Sequence, residues 1–271
     1  MSTTRRAFHA ICRKDVPAAA GIDDFVADQA SATKFFDRFG GRLDLAGKSV
    51  LDVGCGTGAV CIGAARQGAR RVVGVDLQLI EVAREHLAAA GPGVEDRVEL
   101  IETDGSLREL GEETFEVILS KDSFEHYPDP EGFVHVITRF LAPGGTLAIG
   151  FGPPWNAPTG GHIDYMTRLP WAHLLFPEKV IMQERRRFRP DDPALRFGDI
   201  VGGLNKITVR RFRALMAASG LECVFFATNV SASRAVAAMD VISRLGPLRE
   251  YFTVNVYSIW RRVDDPGAPG G

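Results

Sequence analysis

The sequence has few cysteines, almost no excess charge and no long apolar run. Its four cysteines form no C-x-x-C pair, which argues against a disulfide framework and favours a reduced, cytoplasmic setting. A net charge of −2 argues against a broad surface for nucleic-acid phosphates. No apolar run reaches membrane-spanning length, and no apolar segment of a signal peptide follows Arg5 and Arg6. We therefore expect a cytoplasmic globular protein that binds neither membranes nor nucleic acid.

Three glycines, in contrast, form an informative pattern in one stretch. Lys48–Gly58 reads K-S-V-L-D-V-G-C-G-T-G, with glycines at alternate positions after a short apolar run. The apolar run is typical of a strand buried in a parallel sheet, and the pattern from Ala59 to Gln67 is helical. A strand, a glycine turn and a helix open a βαβ unit. Because the helix directs partly positive amides at the turn, this stretch predicts a ligand site.

Two cofactor classes use such a turn, and a tight turn without a ligand is a third interpretation. Gly54, Gly56 and Ala59 match the dinucleotide pattern G-x-G-x-x-A. Asp52, however, would help to repel a pyrophosphate, whereas it suits the ammonium group of an amino-acid moiety. With Gly58 as the third glycine, D-V-G-C-G-T-G resembles motif I of the class I S-adenosylmethionine-dependent methyltransferases.

The next two predicted strands end in similar polar residues. Arg71–Asp76 is a buried strand whose terminal carboxylate suits the two hydroxyls of a ribose, and Leu77 after it suits an adenine face. Val98–Glu102 is followed by Asp104 and Gly105. The resemblance implies that Asp104 accepts a hydrogen bond from the adenine amino group, while an ordinary Asp-Gly turn is the alternative.

The fourth predicted strand, Phe115–Ser120, leads into K-D-S-F-E-H-Y-P-D-P. This run resembles the D-x-x-E-H-x-x-D-P segment of many small-molecule methyltransferases, and L-A-P-G-G-T-L-A-I-G after it is another family feature. The resemblance covers about Leu45 to Gly150. It implies an α/β fold, with a seven-stranded Rossmann-like sheet, helices on both faces and an antiparallel closing strand over Phe252–Arg261. The residues that it implies for binding S-adenosylmethionine are Asp52, Gly54, Cys55, Gly56, Gly58, Asp76, Leu77, Asp104, Gly105 and Lys121.

Asp122, Glu125 and His126 have the spacing of one face of a helical turn. Carboxylates and imidazoles at that spacing can bind a divalent metal, and His162 could complete the set. This resembles the metal site of enzymes that methylate the terminal 2′-hydroxyl of small RNAs, although their pattern has Glu where this chain has Asp122. In the alternative interpretation, Glu125 caps backbone amides and His126 hydrogen-bonds locally or lines the pocket.

Outside the region of resemblance, we expect three additions. Residues 1–45 form a helical cap, with helical spacing from Asp23 to Phe39, which packs on the sheet edge or closes over the site as a lid. Residues 46–271 form the methyltransferase domain. Within it, residues 151–207 are a substrate-covering insertion after strand five, and 231–247 are an extra helix that covers the substrate or supports a homodimer. The tail 264–271 is expected to be disordered.

The insertion supplies most of the candidate catalytic residues. Trp155, His162, Tyr165 and His173 are candidates to line the acceptor site. His162 is the first choice as a general base, with His126 and Tyr165 as further catalytic candidates, while His173 lies in an apolar run typical of a core position.

The basic cluster Arg185–Arg189 has two interpretations, a solvated face or an anion site for a substrate phosphate or carboxylate. The motifs together predict methyl transfer to an oxygen, nitrogen or carbon of a small molecule, of natural-product or cell-envelope type. The alternatives are a metal-assisted methyltransferase of RNA or a catechol-like hydroxyl, and a non-methylating enzyme such as a cyclase that binds S-adenosylmethionine. A nicotinamide dehydrogenase is the remaining interpretation of the glycines.

Overall fold

The computed structural model describes residues 2–12, 25–200 and 202–263. One seven-stranded sheet forms the centre of the fold. Its strands are β1 (Ser49–Val53), β2 (Arg71–Asp76), β3 (Val98–Glu102), β4 (Phe115–Lys121), β5 (Leu141–Phe151), β6 (Leu221–Thr228) and β7 (Val256–Arg262). They lie in the order β3-β2-β1-β4-β5-β7-β6.

Helices connect and cover these strands. The α-helices are α1 (Thr3–Ile11), α2 (Phe25–Asp37), α3 (Ala59–Arg66), α4 (Ile80–Ala90), α5 (Pro92–Glu95), α6 (Pro130–Arg139), α7 (Ala172–Leu175), α8 (Glu178–Arg185), α9 (Val209–Ala218), α10 (Arg234–Ser243) and α11 (Arg249–Phe252). Short 3-10 turns occupy Arg108–Leu110, Phe124–His126, Phe197–Asp199 and Gly246–Leu248.

The sheet is parallel from β3 to β5, and β7 runs antiparallel between β5 and β6. Every residue of β1 is buried, because β1 lies at the centre of the sheet with helices on both sides. Alternate residues of the strands therefore face two separate cores. Val50 and Val72 pack with α2 and α3, whereas Leu51 and Val73 pack with α6 and α9. The predicted α/β fold with an antiparallel closing strand is confirmed.

A third apolar cluster packs α1 against the insertion that follows β5. Phe8 of α1 packs with Ile181 of α8 and Phe188, so α1 lies on the insertion rather than on the sheet. The second helix of the predicted cap, α2, packs on the sheet domain, where Phe35 and Phe36 are buried. The first residues of the predicted Asp23–Phe39 helix lie outside the described part of the chain.

Two further expectations concern the carboxyl-terminal part of the chain. The closing strand begins at Val256, and the predicted start at Phe252 is wrong because Arg249–Phe252 forms a helix. The tail 264–271 lies outside the described residues. Among the helices that the structure describes, none combines the length and the apolar character needed to cross a membrane.

Candidate cofactor and acceptor site

The glycine turn after β1 is tied to the end of β2. The amides of Gly54 and Cys55 donate to the Val75 carbonyl at 2.9 and 3.0 Å. Gly54 and Gly56 both have positive φ, at 73° and 54°. A Cβ on Gly54 would lie 2.4 Å from Ser123 Oγ, whereas a Cβ on Gly56 would have nothing within 4 Å. Gly54 is therefore needed for packing, and Gly56 faces open space that a ligand can occupy.

Asp52 provides an unpaired buried carboxylate below this turn. Its side chain is almost fully buried, and Oδ2 accepts a weak hydrogen bond from Cys61 Sγ at 3.4 Å. Oδ1 has no hydrogen-bond partner within the described ranges. Burial raises the pKa of Asp52 to about 7. Because a buried carboxylate without a partner is unfavourable, Asp52 suits a bound cationic group such as an ammonium.

Asp76 organises the end of β2. Its Oδ2 accepts the Gly56 amide at 2.9 Å, and its Oδ1 accepts the amides of Gln78 at 3.0 Å and Leu79 at 3.2 Å. Leu77 between them is 55% exposed. Each carboxylate oxygen has more than one lone pair, so Asp76 can hold the turn and still accept hydroxyl donors from a ligand.

Asp104 and Gly105 form a hydrogen-bonded turn after β3. Asp104 Oδ1 accepts the Ser106 amide at 2.9 Å, and Oδ2 pairs with Arg108 at 2.5 Å. Hydrogen bonds from Ser106 and Arg108 lower the pKa of Asp104 to about 2. This carboxylate already has protein partners, and its predicted contact with adenine stays a prediction. Lys121, the other cofactor candidate, pairs with Asp122 at 2.7 Å.

Two residues after β4 support the cofactor turn, although sequence reasoning assigned them no role. Ser123 Oγ donates to the Gly54 carbonyl, and the Tyr127 hydroxyl donates to the Val53 carbonyl, each at 3.1 Å. The Tyr127 ring stacks on Phe133 with centroids 3.8 Å apart, which fixes its position. Their partners lie about seventy residues earlier in the chain, so no local sequence pattern indicates these contacts.

Glu125 is a second buried carboxylate with an unused oxygen. Its Oε1 accepts the Gly152 amide at 3.3 Å, and its Oε2 has no hydrogen-bond partner in the described part of the chain. Burial, with a smaller contribution from the charge of Asp122, raises the pKa of Glu125 to about 8. Glu125 therefore holds a backbone amide, as in the capping interpretation of this segment.

The imidazole rings of the two histidines in the predicted metal set pack edge to face. The rings of His126 and His162 lie 5.5 Å apart, and His126 Nδ1 is 2.6 Å from the Gly203 carbonyl. Within the ranges that the structure describes, no three His, Cys, Asp or Glu side chains are grouped so that they could share a metal ion. The four predicted ligands, Asp122, Glu125, His126 and His162, are thus neighbours that do not form a ligand set in this structure.

His162 has the features of a neutral imidazole. Burial, followed by the charge of His126, lowers the pKa of His162. Its Nε2 is buried and has no hydrogen-bond partner among the residues described. Its φ of 51° shows that the loop holds it in a backbone conformation that non-glycine residues seldom adopt.

A cavity of about 430 Å³ lies at the carboxyl ends of β4 and β5. One wall is a face of α2, and the others come from the segments that follow β4 and β5 and from the start of β7. The lining residues are Ala27, Ser31, Lys34, Arg38, Asp122, Gly152, Pro153, Thr159, Val254, Asn255 and Tyr257. In open α/β sheets this edge is where ligands bind, so we call this space the acceptor cavity.

The four candidates from the insertion, Trp155, His162, Tyr165 and His173, do not line the acceptor cavity. Tyr165 packs on Phe188, with Arg189 over its ring at 5.1 Å. His173 is buried, and its Nε2 lies 2.6 Å from the Trp155 carbonyl. The predicted placement of Tyr165 at the reacting atoms is therefore not supported, because it belongs to the apolar cluster below α1 and α8.

The basic cluster Arg185–Arg189 is largely used within the protein. Arg185, which is buried, pairs with Asp192 at 2.6 Å, and Arg187 pairs with the buried Glu184. Arg189 covers Tyr165 as described above. These contacts explain the cluster by internal pairing and do not favour an anion site there.

Comparison with known proteins agrees with this geometry. Residues 51–149 match a family model described as a methyltransferase domain; the match includes Asp52 in β1, Asp76 in β2 and Asp122 directly after β4. Over these residues the chain is similar to methyltransferase domains. The matched region includes the glycine turn, β2, β3 and β4, and most of β1 and β5.

Curated relatives and solved structures agree with this match. The ubiquinone biosynthesis O-methyltransferase of Xanthomonas oryzae pv. oryzae is 40% identical over 113 residues, which are 41% of this chain and 46% of the relative. The chain thus matches about half the length of the curated relatives. A crystal structure of an S-adenosylmethionine-dependent methyltransferase from Mesorhizobium loti has a TM-score of 0.57 at 17% identity, covering 86% of this chain and all of that one. The cyclase SpnF has a TM-score of 0.56 at 18% identity, covering 88% and 81%. These two structures share the fold.

Proposed function

We propose that this protein is a methyltransferase that uses S-adenosylmethionine to methylate a small molecule bound in the acceptor cavity. The observation that carries the proposal is the unpaired, buried carboxylate of Asp52 below a glycine turn that Asp76 holds in place. A dinucleotide pyrophosphate would be repelled by that carboxylate, whereas an amino-acid ammonium group would be attracted to it.

The residues present fit this cofactor. Asp52 would hold the ammonium group, Asp76 would accept the ribose hydroxyls, and the open space at Gly56 would admit the ligand close to the backbone. The cofactor supplies an electrophilic methyl group on a sulfonium centre when bound. The chain's own contribution is to orient an acceptor against that centre and to exclude water, so positioning accounts for most of the rate.

His162 is the candidate general base in this proposal; it lies behind the lining of the acceptor cavity, where its amide donates to the carbonyl of the lining residue Thr159. Its lowered pKa keeps the imidazole neutral near pH 7, and Nε2 has no partner in the described part of the protein. A neutral imidazole nitrogen can take the proton of an acceptor hydroxyl as the methyl group transfers. The name of the Xanthomonas relative specifies O-methylation, which supports a hydroxyl acceptor here.

The proposal also bears on the cellular location of the protein and on the boundaries of its domain. Action on a small metabolite supports a cytoplasmic protein, as the sparse cysteines predict. The division into a cap over residues 1–45 and a domain over 46–271, and the formation of a homodimer, stay predictions. The wall that α2 contributes to the acceptor cavity supports the role of the cap as a cover for the substrate.

Methyl-labelled S-adenosylmethionine and a low-molecular-weight metabolite extract provide the test. We expect the wild-type protein to transfer label to a small organic product, and Asp76→Asn to transfer far less. Tight binding of S-adenosylhomocysteine without labelled product would instead favour a non-methylating enzyme such as a cyclase. Loss of labelling after chelator treatment would favour the metal-assisted alternative.

A further inference from the structure

One face of α2, continued by Arg38 directly after the helix, forms a wall of the acceptor cavity, and this wall carries two cations. Ala27, Ser31, Lys34 and Arg38 all line the cavity. Their spacing places them on one side of the helix, successive residues lying one turn apart. Lys34 and Arg38 therefore present two positive charges, one turn apart, to the same space.

Neither cation has a carboxylate partner among the described residues. Lys34 and Arg38 form no ion pair with a carboxylate in the ranges 2–12, 25–200 and 202–263. This differs from Arg185 and Arg211, which pair with Asp192 and Glu131. Two adjacent like charges that line a concave space raise its positive potential, which attracts anions.

Arg38 is held in place by a neutral partner. Its guanidinium donates a hydrogen bond to the Tyr257 hydroxyl and lies 5.0 Å from the centre of the Tyr257 ring. Tyr257 is itself only 1% exposed and packs against Phe35. A guanidinium has five N–H donors, so the bond to Tyr257 leaves donors for a bound anion. Arg38 is thus oriented without losing its charge.

The carboxylate in the cavity does not cancel these charges. Asp122 pairs with Lys121 at 2.7 Å, so this pair contributes no net charge. The other lining residues are uncharged. A volume of about 430 Å³ is within the range of small-molecule sites. The cavity therefore combines the size of a small-molecule site with an excess of positive charge.

We propose that the methyl acceptor carries an anionic group, a carboxylate or a phosphate, which Lys34 and Arg38 bind. This inference rests on the proposed function, because it assigns the acceptor class of the same site. An arginine fork and a lysine ammonium suit the oxygens of such a group. Binding it on α2 directs the rest of the acceptor towards the loops after β4 and β5, where the cofactor is proposed to present its methyl group.

Inorganic phosphate is the probe that tests the charge recognition. The protein is saturated with S-adenosylhomocysteine and titrated calorimetrically with phosphate, as wild type and as the double variant Lys34→Gln/Arg38→Gln. We expect the double variant to bind phosphate about tenfold more weakly or worse, because both charges are lost. Equal phosphate affinity in the two proteins would overturn the inference, as would an absence of phosphate binding by the wild type.

A matched control separates this effect from a general loss of charge. Arg139 is exposed at the end of α6, next to the start of β5. It therefore lies at the amino ends of the strands, opposite the acceptor cavity. Arg139→Gln should bind phosphate as the wild type does. Arg38→Lys, combined with native Lys34, should retain most of the affinity because it keeps the charge. A loss in Arg139→Gln equal to that of the double variant would contradict a site on α2.

The cofactor itself carries a carboxylate, and the same samples distinguish the two sources. The affinity for S-adenosylhomocysteine should change less than threefold in the double variant, and phosphate should bind in its presence. If the double variant loses S-adenosylhomocysteine binding and the cofactor displaces phosphate from the wild type, the cations serve the cofactor and the inference is wrong. Failure of the proposed function would be different, since the wild type would then not bind S-adenosylhomocysteine at all.

Discussion

Two buried carboxylates, Asp52 and Glu125, are the residues on which the account depends most. Burial raises the pKa of Asp52 to about 7 and that of Glu125 to about 8. Each has one oxygen without a hydrogen-bond partner in the described residues. Groups with pKa values raised by burial at the edge of a ligand site are often functional. They also destabilise the free protein once they ionise.

Replacement of Glu125 by glutamine should stabilise the protein at high pH. The folded-state pKa lies above the unfolded value, so the protonated form favours folding and this contribution is lost as pH rises from about 4.5 to about 8. We expect Glu125→Gln to raise the free energy of unfolding at pH 8 by on the order of 1–3 kcal/mol, with little change at pH 4. Urea denaturation at the two pH values measures this difference.

Glu116 provides the control with the opposite sign. Hydrogen bonds from the Ser49 amide and from Arg70 lower the pKa of Glu116, so its ionised form favours folding. Glu116→Gln should therefore leave the protein no more stable than the wild type at pH 8. If Glu125→Gln and the wild type unfold at the same urea concentration at pH 8, ionisation of Glu125 does not destabilise the folded protein, which would contradict this account.

The same reasoning gives a pH dependence for cofactor binding. If ionised Asp52 holds an ammonium group, the affinity of the wild type for S-adenosylhomocysteine should rise as pH rises through about 7. Asp52→Asn should bind at least about tenfold more weakly at pH 8 and show no such rise. Calorimetric titration at pH 6, 7 and 8 measures both proteins, and parallel pH profiles would contradict this role for Asp52.

At the scale of elements, the glycine turn separates packing from ligand access. A Cβ on Gly54 would lie 2.4 Å from Ser123 Oγ, while Gly56 has open space beside it. Both residues have positive φ, so alanine costs about 1 kcal/mol at either position. We expect Gly54→Ala to lower the unfolding free energy clearly more than Gly56→Ala does.

The effect on cofactor binding should not parallel the effect on stability: the more stable variant, Gly56→Ala, should still bind the cofactor poorly. Gly56→Ala should remain folded at 25 °C yet bind S-adenosylhomocysteine more weakly, because its methyl group enters the space left for the ligand. Thermal unfolding and calorimetry on the same preparations measure the two properties. Wild-type affinity in Gly56→Ala would show that the ligand does not approach this part of the turn.

The elements differ in how far the sequence predicts them. The bounds of β2 and β3 agree with the predicted ones, because apolar runs with clear turn signals at both ends define them. The closing strand was predicted too early. Alternation in F-T-V-N-V-Y resembles a strand. The Asn229 side chain, however, accepts a hydrogen bond from the Val254 amide at 2.8 Å and donates one to the Phe252 carbonyl at 2.9 Å. A distant side chain replaces the neighbouring strand there, which local patterns do not show.

At the scale of the molecule, the sequence predicts which carboxylates meet at one end of the sheet, but not which residues line the acceptor cavity. Asp52 and Asp76 lie at the ends of adjacent strands, so the order of strands places them together. Arg38 reaches the acceptor cavity through Tyr257, which is 219 residues away in the sequence. Tyr165 was predicted near the reacting atoms but packs under α1 and α8, because the insertion builds its own apolar cluster.

The central claim is that Asp52, the glycine turn and Asp76 bind the cofactor of a methyltransferase. Calorimetric titration with S-adenosylhomocysteine tests it most directly, with wild type, Asp76→Asn and the control Glu222→Gln on the distant edge strand β6. The account predicts about micromolar binding by the wild type and the control, and a loss of more than about tenfold in Asp76→Asn. No binding by folded wild-type protein, or equal binding by Asp76→Asn, would contradict the account.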